Sequence, residues 1–293
     1  MYTSEYRYLG VIFHEHLDFA KHTNTLAASA TRALGSVISK YKNNKEMTYE
    51  IYSKLVHTCV LPVLDYGSEV YGINKCAEIE KVQNTAARVF LGINRFAPIL
   101  AIQGDIGWRI CQTRIDISIL RLWNKFTQMN EDRLCRHVFE WDSDNHQDNW
   151  SGYVKKLFDK MNMDNFDSKL PCDIDSCGEK LDCIDSNEWY EKLSFKPKLR
   201  SYKKFKFAKF TENYVKMNLS SKERSMLSQF RMGILPINIE TGRYRNVPLD
   251  KRVCYNCIDT IEDEIHFLLY CPIYTRTIDQ FYLIISLMCS FKI

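Results

Sequence analysis

Apolar positions along this chain recur first with a period of two, then with helical spacing. They thin out through a polar stretch and return in a run where cations alternate with aromatic rings. The opening "YRYLGVIFHEHLDF" is rich in β-branched and aromatic residues around a Gly, a pattern that predicts a short β hairpin within residues 1–24. In "TLAASATRALGSVISK" the residues Leu26, Ala30, Ala33, Leu34, Val37 and Ile38 fall on one helical stripe. A second helix is expected to start at Thr48 as N-cap and to run through Ile51, Leu55 and Cys59 until Pro62 breaks it. The segment "EIEKVQNTAARVFLG" places Ile79, Val82, Ala86, Val89 and Phe90 on one face and ends at Gly92, a residue suited to a helix C-cap. "TRIDISILRLWNKFTQMNEDRL" continues the helical period through Ile115, Ile119, Leu122 and Phe126. The fold class predicted is therefore mainly α: a helical bundle over 25–139 preceded by a short β hairpin.

From Glu140 to Ser194 the chain is polar and acidic, with "DSDNHQD" and "PCDIDSCGEKLDCIDSNE". Low apolar content and turn residues predict a linker or loosely ordered insert at 140–194. Charge sharpens this division. The net charge is +4, yet residues 140–194 carry 6 Lys+Arg against 14 Asp+Glu, and residues 195–252 carry 15 against 4. In the basic block Lys196, Lys198, Arg200, Lys203, Lys204, Lys206 and Lys209 alternate with Tyr202, Phe205, Phe207 and Phe210. Cations release counterions from phosphates and rings stack on unpaired bases, so 195–250 is a candidate nucleic-acid-binding segment. The same pattern also fits an amphipathic helix with core aromatics and a solvated basic face.

Composition sets the class. The chain has 293 residues, 45% of them hydrophobic, enough for a packed core and for two domains. Its eleven cysteines are spread over the whole length, and "MYTSEYRYLG" has neither the basic nor the apolar region of a signal peptide, so a reducing, intracellular compartment is expected, nucleus or cytoplasm. The apolar tail "FYLIISLMCSF" is eleven residues, short of the roughly 20 that a spanning helix needs, and is expected to be a packed helix or a truncated end.

The most specific chemistry lies in "RVCYNCIDTIEDEIHFLLYCPIY", where Cys254, Cys257, His266 and Cys271 stand at Cx2Cx8Hx4C spacing. Two cysteines two residues apart form a turn that aims both sulfurs at one ion. A His and a Cys five positions apart lie within the range that supplies two further ligands. Pro272 helps to turn the chain at Cys271. Four protein ligands would close a tetrahedral shell around a structural Zn2+, with no position left to activate water. The alternative is that some of these cysteines are ordinary small buried hydrophobes. Weaker candidates are the His14, His16 and His22 group, the Cys172, Cys177 and Cys183 group, and the lone carboxylate of Asp65. No GxGxxG, GxxxxGKS, GxSxG or HExxH motif is present.

Several of these stretches, in order, resemble one known family. "YRYLGVIFHEHLDFAKH" is similar to the segment that follows the catalytic palm in reverse transcriptases of LINE-type non-LTR retrotransposons. "IYSKLVHTCVLPVLDYGSEVYG" and "IEKVQNTAARVFLGINRFAP" look like the stretches that follow it, the helical thumb. "RSMLSQFRMGILPINIETGRYRNVPLDKRVCYNCIDTIEDEIHFLLYCPIY" resembles the C-terminal region with its CCHC zinc knuckle. The resemblance covers most of residues 6–136 and 199–275. It implies the end of a palm at 1–24, a thumb-like bundle at 25–139, and a zinc knuckle with a C-terminal helix at 251–293.

The resemblance also implies what is missing. Such polymerases hold two Mg2+ with palm aspartates, typically including a YxDD turn, and this sequence has no DD pair and no evident endonuclease or ribonuclease H motif. The expectation is a non-catalytic, truncated reverse-transcriptase-like protein that binds RNA or single-stranded DNA. Lys203, Lys204, Lys206 and Lys209 would contact backbone, Tyr202 and Phe205 would stack, and the knuckle would hold structural zinc. The alternatives are a protein-interaction scaffold in which the basic block pairs with the acidic insert, a part that works with a separate palm-containing polypeptide, or a remnant without function.

Overall fold

The computed structural model describes residues 3–44, 47–74, 77–145, 149–163 and 170–274. It is mainly helical, with a two-stranded antiparallel hairpin near the N-terminus. The hairpin strands are β1 (Glu5–Tyr8) and β2 (Val11–His14). Helices follow as α1 (Ala20–Asn43), α2 (Tyr49–Cys59), α3 (Leu61–Asp65), α4 (Ser68–Tyr71), α5 (Ala77–Leu91), α6 (Ile99–Ile106) and α7 (Cys111–Thr127). Then come α8 (Leu134–Asp144), α9 (Trp150–Lys160), α10 (Ile174–Ser194), α11 (Asn213–Lys216), α12 (Ser221–Arg231) and α13 (Asn238–Tyr244). Among the described residues no helix is long and apolar enough to cross a membrane. The expected C-terminal helix beyond Tyr274 lies outside the described residues.

The chain divides into two compact units, each assembled from separated segments rather than from consecutive blocks. One comprises Met1–Asn43, Tyr52–Ala86 and Arg109–Glu188; the other comprises Asn44–Ile51, Ala87–Trp108 and Trp189–Ile293.

In the first unit β1 and β2 pair through a two-residue turn at Leu9 and Gly10, both at positive φ. The Tyr66 hydroxyl fixes that turn by donating to the Leu9 carbonyl at 2.5 Å. α1 buries Leu26, Ala30, Leu34 and Val37, the stripe read from its spacing. Pro62 sits in the first turn of α3, where a missing N–H costs no helix bond; at the start of α2, in residues of the second unit, Thr48 accepts from the Ile51 N–H. α7 turns Ile115, Ile119, Leu120 and Trp123 inward.

The acidic stretch is not a linker. α9 and the first part of α10 fold against α7, and Val154, Leu157, Phe158, Met161, Cys177 and Leu181 join Trp123 and Phe139 in one core. Among the described residues the acids occupy outer positions, while Val154, Leu157 and Phe158 keep the i, i+3, i+4 spacing of a buried face. Average composition concealed that period. Asn149 caps α9 by accepting from the Gly152 N–H at 2.8 Å. Asn124 of α7 holds the approach to α10 through both backbone groups of Cys172, at 2.6 and 2.8 Å. The portion of the stretch at 164–169 lies outside the described residues.

In the second unit the Tyr49 hydroxyl donates to the Ile106 carbonyl at 3.0 Å, and its ring meets Phe90 edge-on. Gly92 ends α5 at φ 67°, as expected for a left-handed cap, and a Cβ there would stand 2.8 Å from the Ser225 Cβ. Ser220 and Glu223 form a reciprocal capping box at the start of α12.

Candidate metal centre

The chain leads into the centre from α13 through a 3-10 turn at Leu249–Lys251. Val253 then bridges to Ile261 in antiparallel fashion, and the Cys254 N–H donates to the Thr260 carbonyl at 2.8 Å. Between these two rungs the chain makes a tight loop, with the Ile258 N–H donating to the Cys254 carbonyl at 2.9 Å. That loop forces Ile258 to a φ of 53°, a region that β-branched residues rarely occupy. It also turns Cys254 and Cys257 toward the same point.

The other two donors come from the turn that follows. Asp263 accepts from the His266 N–H at 2.7 Å and so caps a five-residue π-type turn, His266–Tyr270. The Cys271 N–H closes it on the His266 carbonyl at 2.9 Å, which places the two side chains on one side.

The result is convergence. One ligand atom from each of Cys254, Cys257, His266 and Cys271 lies within 4.8 Å of the others. The Cys271 Sγ is 3.8 Å from that of Cys254 and 4.0 Å from that of Cys257. Disulfide sulfurs stand about 2.05 Å apart, so these are thiols. Thiolates sharing one tetrahedral ion at about 2.3 Å are about 3.8 Å apart, which is the spacing seen here. Both ring nitrogens of His266 are buried and find no hydrogen-bond partner outside the cluster, within which the ring interacts with the Cys254 sulfur. A buried imidazole normally finds at least one partner, so the donor set fits a metal ion as its partner.

Electrostatics point the same way. Burial pushes the Cys254 thiol up, but the N–H groups of Asn256 and Cys257, with His266 and Cys271, outweigh it and hold it at about 7. Cys257 is pushed up to about 11 by desolvation and then by the sulfurs of Cys271 and Cys254. A second thiolate beside the first is unfavourable until a cation joins them.

The centre is tied to the rest of its unit by acids. The Glu262 carboxylate accepts from the Asn238 N–H at 2.7 Å, and its carbonyl accepts from the Ile239 N–H at 3.1 Å. Glu264, almost fully buried, accepts from Arg200 at 2.6 Å and from the Ser201 hydroxyl at 2.9 Å.

The basic segment sits differently from its expected role. Tyr202 and Lys206, predicted to face a polyanion, are both 0% exposed. The Asp105 carboxylate accepts from the hydroxyls of Tyr202 at 2.9 Å and Tyr214 at 2.7 Å, and from two guanidinium nitrogens of Arg231 at 3.0 Å each. Lys206 donates to the Phe210 carbonyl at 2.7 Å and pairs with Glu212, which also meets Arg231 at 3.2 Å. Phe205 is half-buried under Arg231, 4.6 Å from ring centre to guanidinium. Lys198 pairs with the buried Glu240 at 2.7 Å, and Arg200 with Glu264. These contacts correct the expectation for Tyr202 and Lys206: buried themselves, they are partners of the buried Asp105 and the partly buried Glu212, not a surface for phosphate. Of the predicted contacts Lys196, Lys203 and Lys204 are exposed and Lys209 is half-exposed, and Phe195 and Phe207 stand exposed beside them. Sequence reasoning missed Asp105 and Arg231; the available signal was a lone acid inside the apolar helix "ILAIQGDI".

The weaker candidates resolve into structural roles. Asp65 accepts from Arg114 through both oxygens, at 3.0 and 2.9 Å. His22 is buried against Tyr71 and accepts from the Ile12 N–H, apart from the surface pair His14 and His16. Cys172 and Cys177 lie in the α7–α9–α10 core region, while Cys183 is exposed. Among the described residues no second group of three such donors gathers around one point. The chain matches no protein-family model, no curated protein and no solved structure.

Proposed function

We propose that this chain is a nucleic-acid-binding protein without catalysis of its own, similar to the thumb and knuckle portion of a non-LTR retrotransposon reverse transcriptase. In this reading it takes RNA or single-stranded DNA and holds one structural Zn2+ at Cys254, Cys257, His266 and Cys271. The observation that carries it is the convergence of four soft and borderline donors, among them a buried His266 with no hydrogen-bond partner outside the cluster. Three thiols and an imidazole suit zinc in a reducing compartment better than hard, oxygen-seeking ions. A filled Cys3His shell stiffens the fold and leaves no open position for hydrolysis. Lys196, Lys203 and Lys204, with Phe195 and Phe207, supply the charge and ring faces that the buried network leaves exposed.

A second reading has its own support. Lys198, Arg200 and Lys206 are engaged with Glu240, Glu264 and Glu212, which favours an architectural role for much of the basic block and a protein partner for the chain.

Fluorescence anisotropy with single-stranded RNA, single-stranded DNA and duplex DNA separates the two. Nucleic-acid binding predicts sub-micromolar affinity for single strands that falls steeply with salt, by about 0.7 in the log–log slope for each phosphate contact. The triple variant of Lys196, Lys203 and Lys204 to Ala should flatten that slope by about 2, and chelation should weaken binding. Absent binding at moderate salt with zinc loaded would leave the protein-partner reading.

A further inference from the structure

α8 carries two apolar faces, and the core accounts for one. Phe139 lies 4.8 Å from Trp123 and 5.4 Å from Phe126 between ring centres, and the buried Arg136 donates to the Phe126 carbonyl at 2.8 Å. On the opposite face Leu134, Val138 and Trp141 stand at i, i+4 and i+7, and they are 76%, 56% and 69% exposed. A single exposed apolar side chain is unremarkable, whereas three in one stripe mark an interaction surface. Of the five tryptophans, Trp141 is the exposed one.

The rim of this stripe is acidic. Glu131, Asp132 and Asp144 are exposed and Asp142 is half-exposed, while Arg133 is the one exposed cation over 131–145. Arg136 is buried and paired with Glu140.

We propose that the outer face of α8 docks an amphipathic helix of a partner protein, one whose apolar stripe is flanked by Lys and Arg. The i, i+4, i+7 spacing matches the way one helix lays anchors against another. The acidic rim selects basic flanks and repels a nucleic-acid backbone. A second copy of the same face would set acids against acids, which disfavours self-pairing through this surface.

Two synthetic helical peptides test this, identical in a Leu stripe at i, i+4, i+7 and differing only in Lys/Arg or Glu flanks. The basic peptide should shield Trp141 from acrylamide quenching and bind about tenfold or more tightly than the acidic one, with the difference shrinking as salt rises. Trp141→Ala and Val138→Asp, both at exposed positions, should leave the thermal melt unchanged and weaken binding about tenfold or more. Equal binding of the two peptides, no binding of either, or binding undiminished in both variants would overturn the proposal. A dimer in sedimentation that Val138→Asp dissolves would assign the face to a second copy and would equally overturn it.

Discussion

Ile258 follows the second cysteine of the Cx2C turn at a φ of 53°, with its side chain 70% exposed. A β-branched residue held there costs about 1–2 kcal/mol relative to its preferred backbone, and its exposed side chain returns little by packing. Ile258→Gly should therefore raise the affinity for zinc, by about tenfold in competition with a chromophoric chelator. Weaker zinc binding in that variant would mean that the Ile258 side chain supports the loop. The cluster of Cys254, Cys257, His266 and Cys271 was legible in the sequence because four donor residues within eighteen positions leave few alternatives. Asp105 and Arg231 were not legible, since they stand 126 positions apart and only folding joins them. Lys206 and Tyr202 were misassigned for the same reason: a local charge pattern cannot show that Glu212 and Asp105 desolvate with them.

At the scale of elements, helices with strong periods were readable and one composition-based inference failed. The stripes of α1 and α5 and the Gly92 cap appear where their spacing placed them, whereas in α7 Ile115 and Ile119 are buried but Leu120 and Trp123, not Leu122, continue the buried face. α9 and α10 were obscured because acids on the outer face dominate the composition while Val154, Leu157 and Phe158 keep a helical face. If α9 belongs to the core, Phe158→Ala should destabilise the chain by about 3–5 kcal/mol in urea unfolding, as for other buried aromatics. A linker would tolerate the change within about 0.5 kcal/mol, and that result would remove α9 from the folded unit.

At the scale of the whole molecule, buried phenols set the response to alkali. Tyr202 and Tyr214 are raised well above the usual tyrosine range, first by burial and then by the Asp105 carboxylate. Below about pH 10 both stay protonated whether folded or not, and their stabilising contribution is present in full. Above it the unfolded phenols lose protons that the folded ones keep, so stability falls as pH rises. Lys206 acts with the opposite sign, because burial lowers it: its cost fades as pH approaches 10.5 and is then gone. In the window above about pH 10 Tyr52 and Tyr153, also raised first by burial, act in the same direction, so stability is expected to fall with pH through the sum of these buried phenols. Urea midpoints across that window read the slope, and a flat profile would place these hydroxyls in water.

Metal content and zinc K-edge X-ray absorption show whether the four converging donors of Cys254, Cys257, His266 and Cys271 hold an ion. One zinc per chain is expected, with three sulfurs at about 2.3 Å and one nitrogen at about 2.0 Å. Cys257→Ser should lose that metal and unfold the surrounding turn. A purified, folded chain that carries no zinc, or one whose zinc is bound mainly through oxygen, would contradict a zinc site at these four residues.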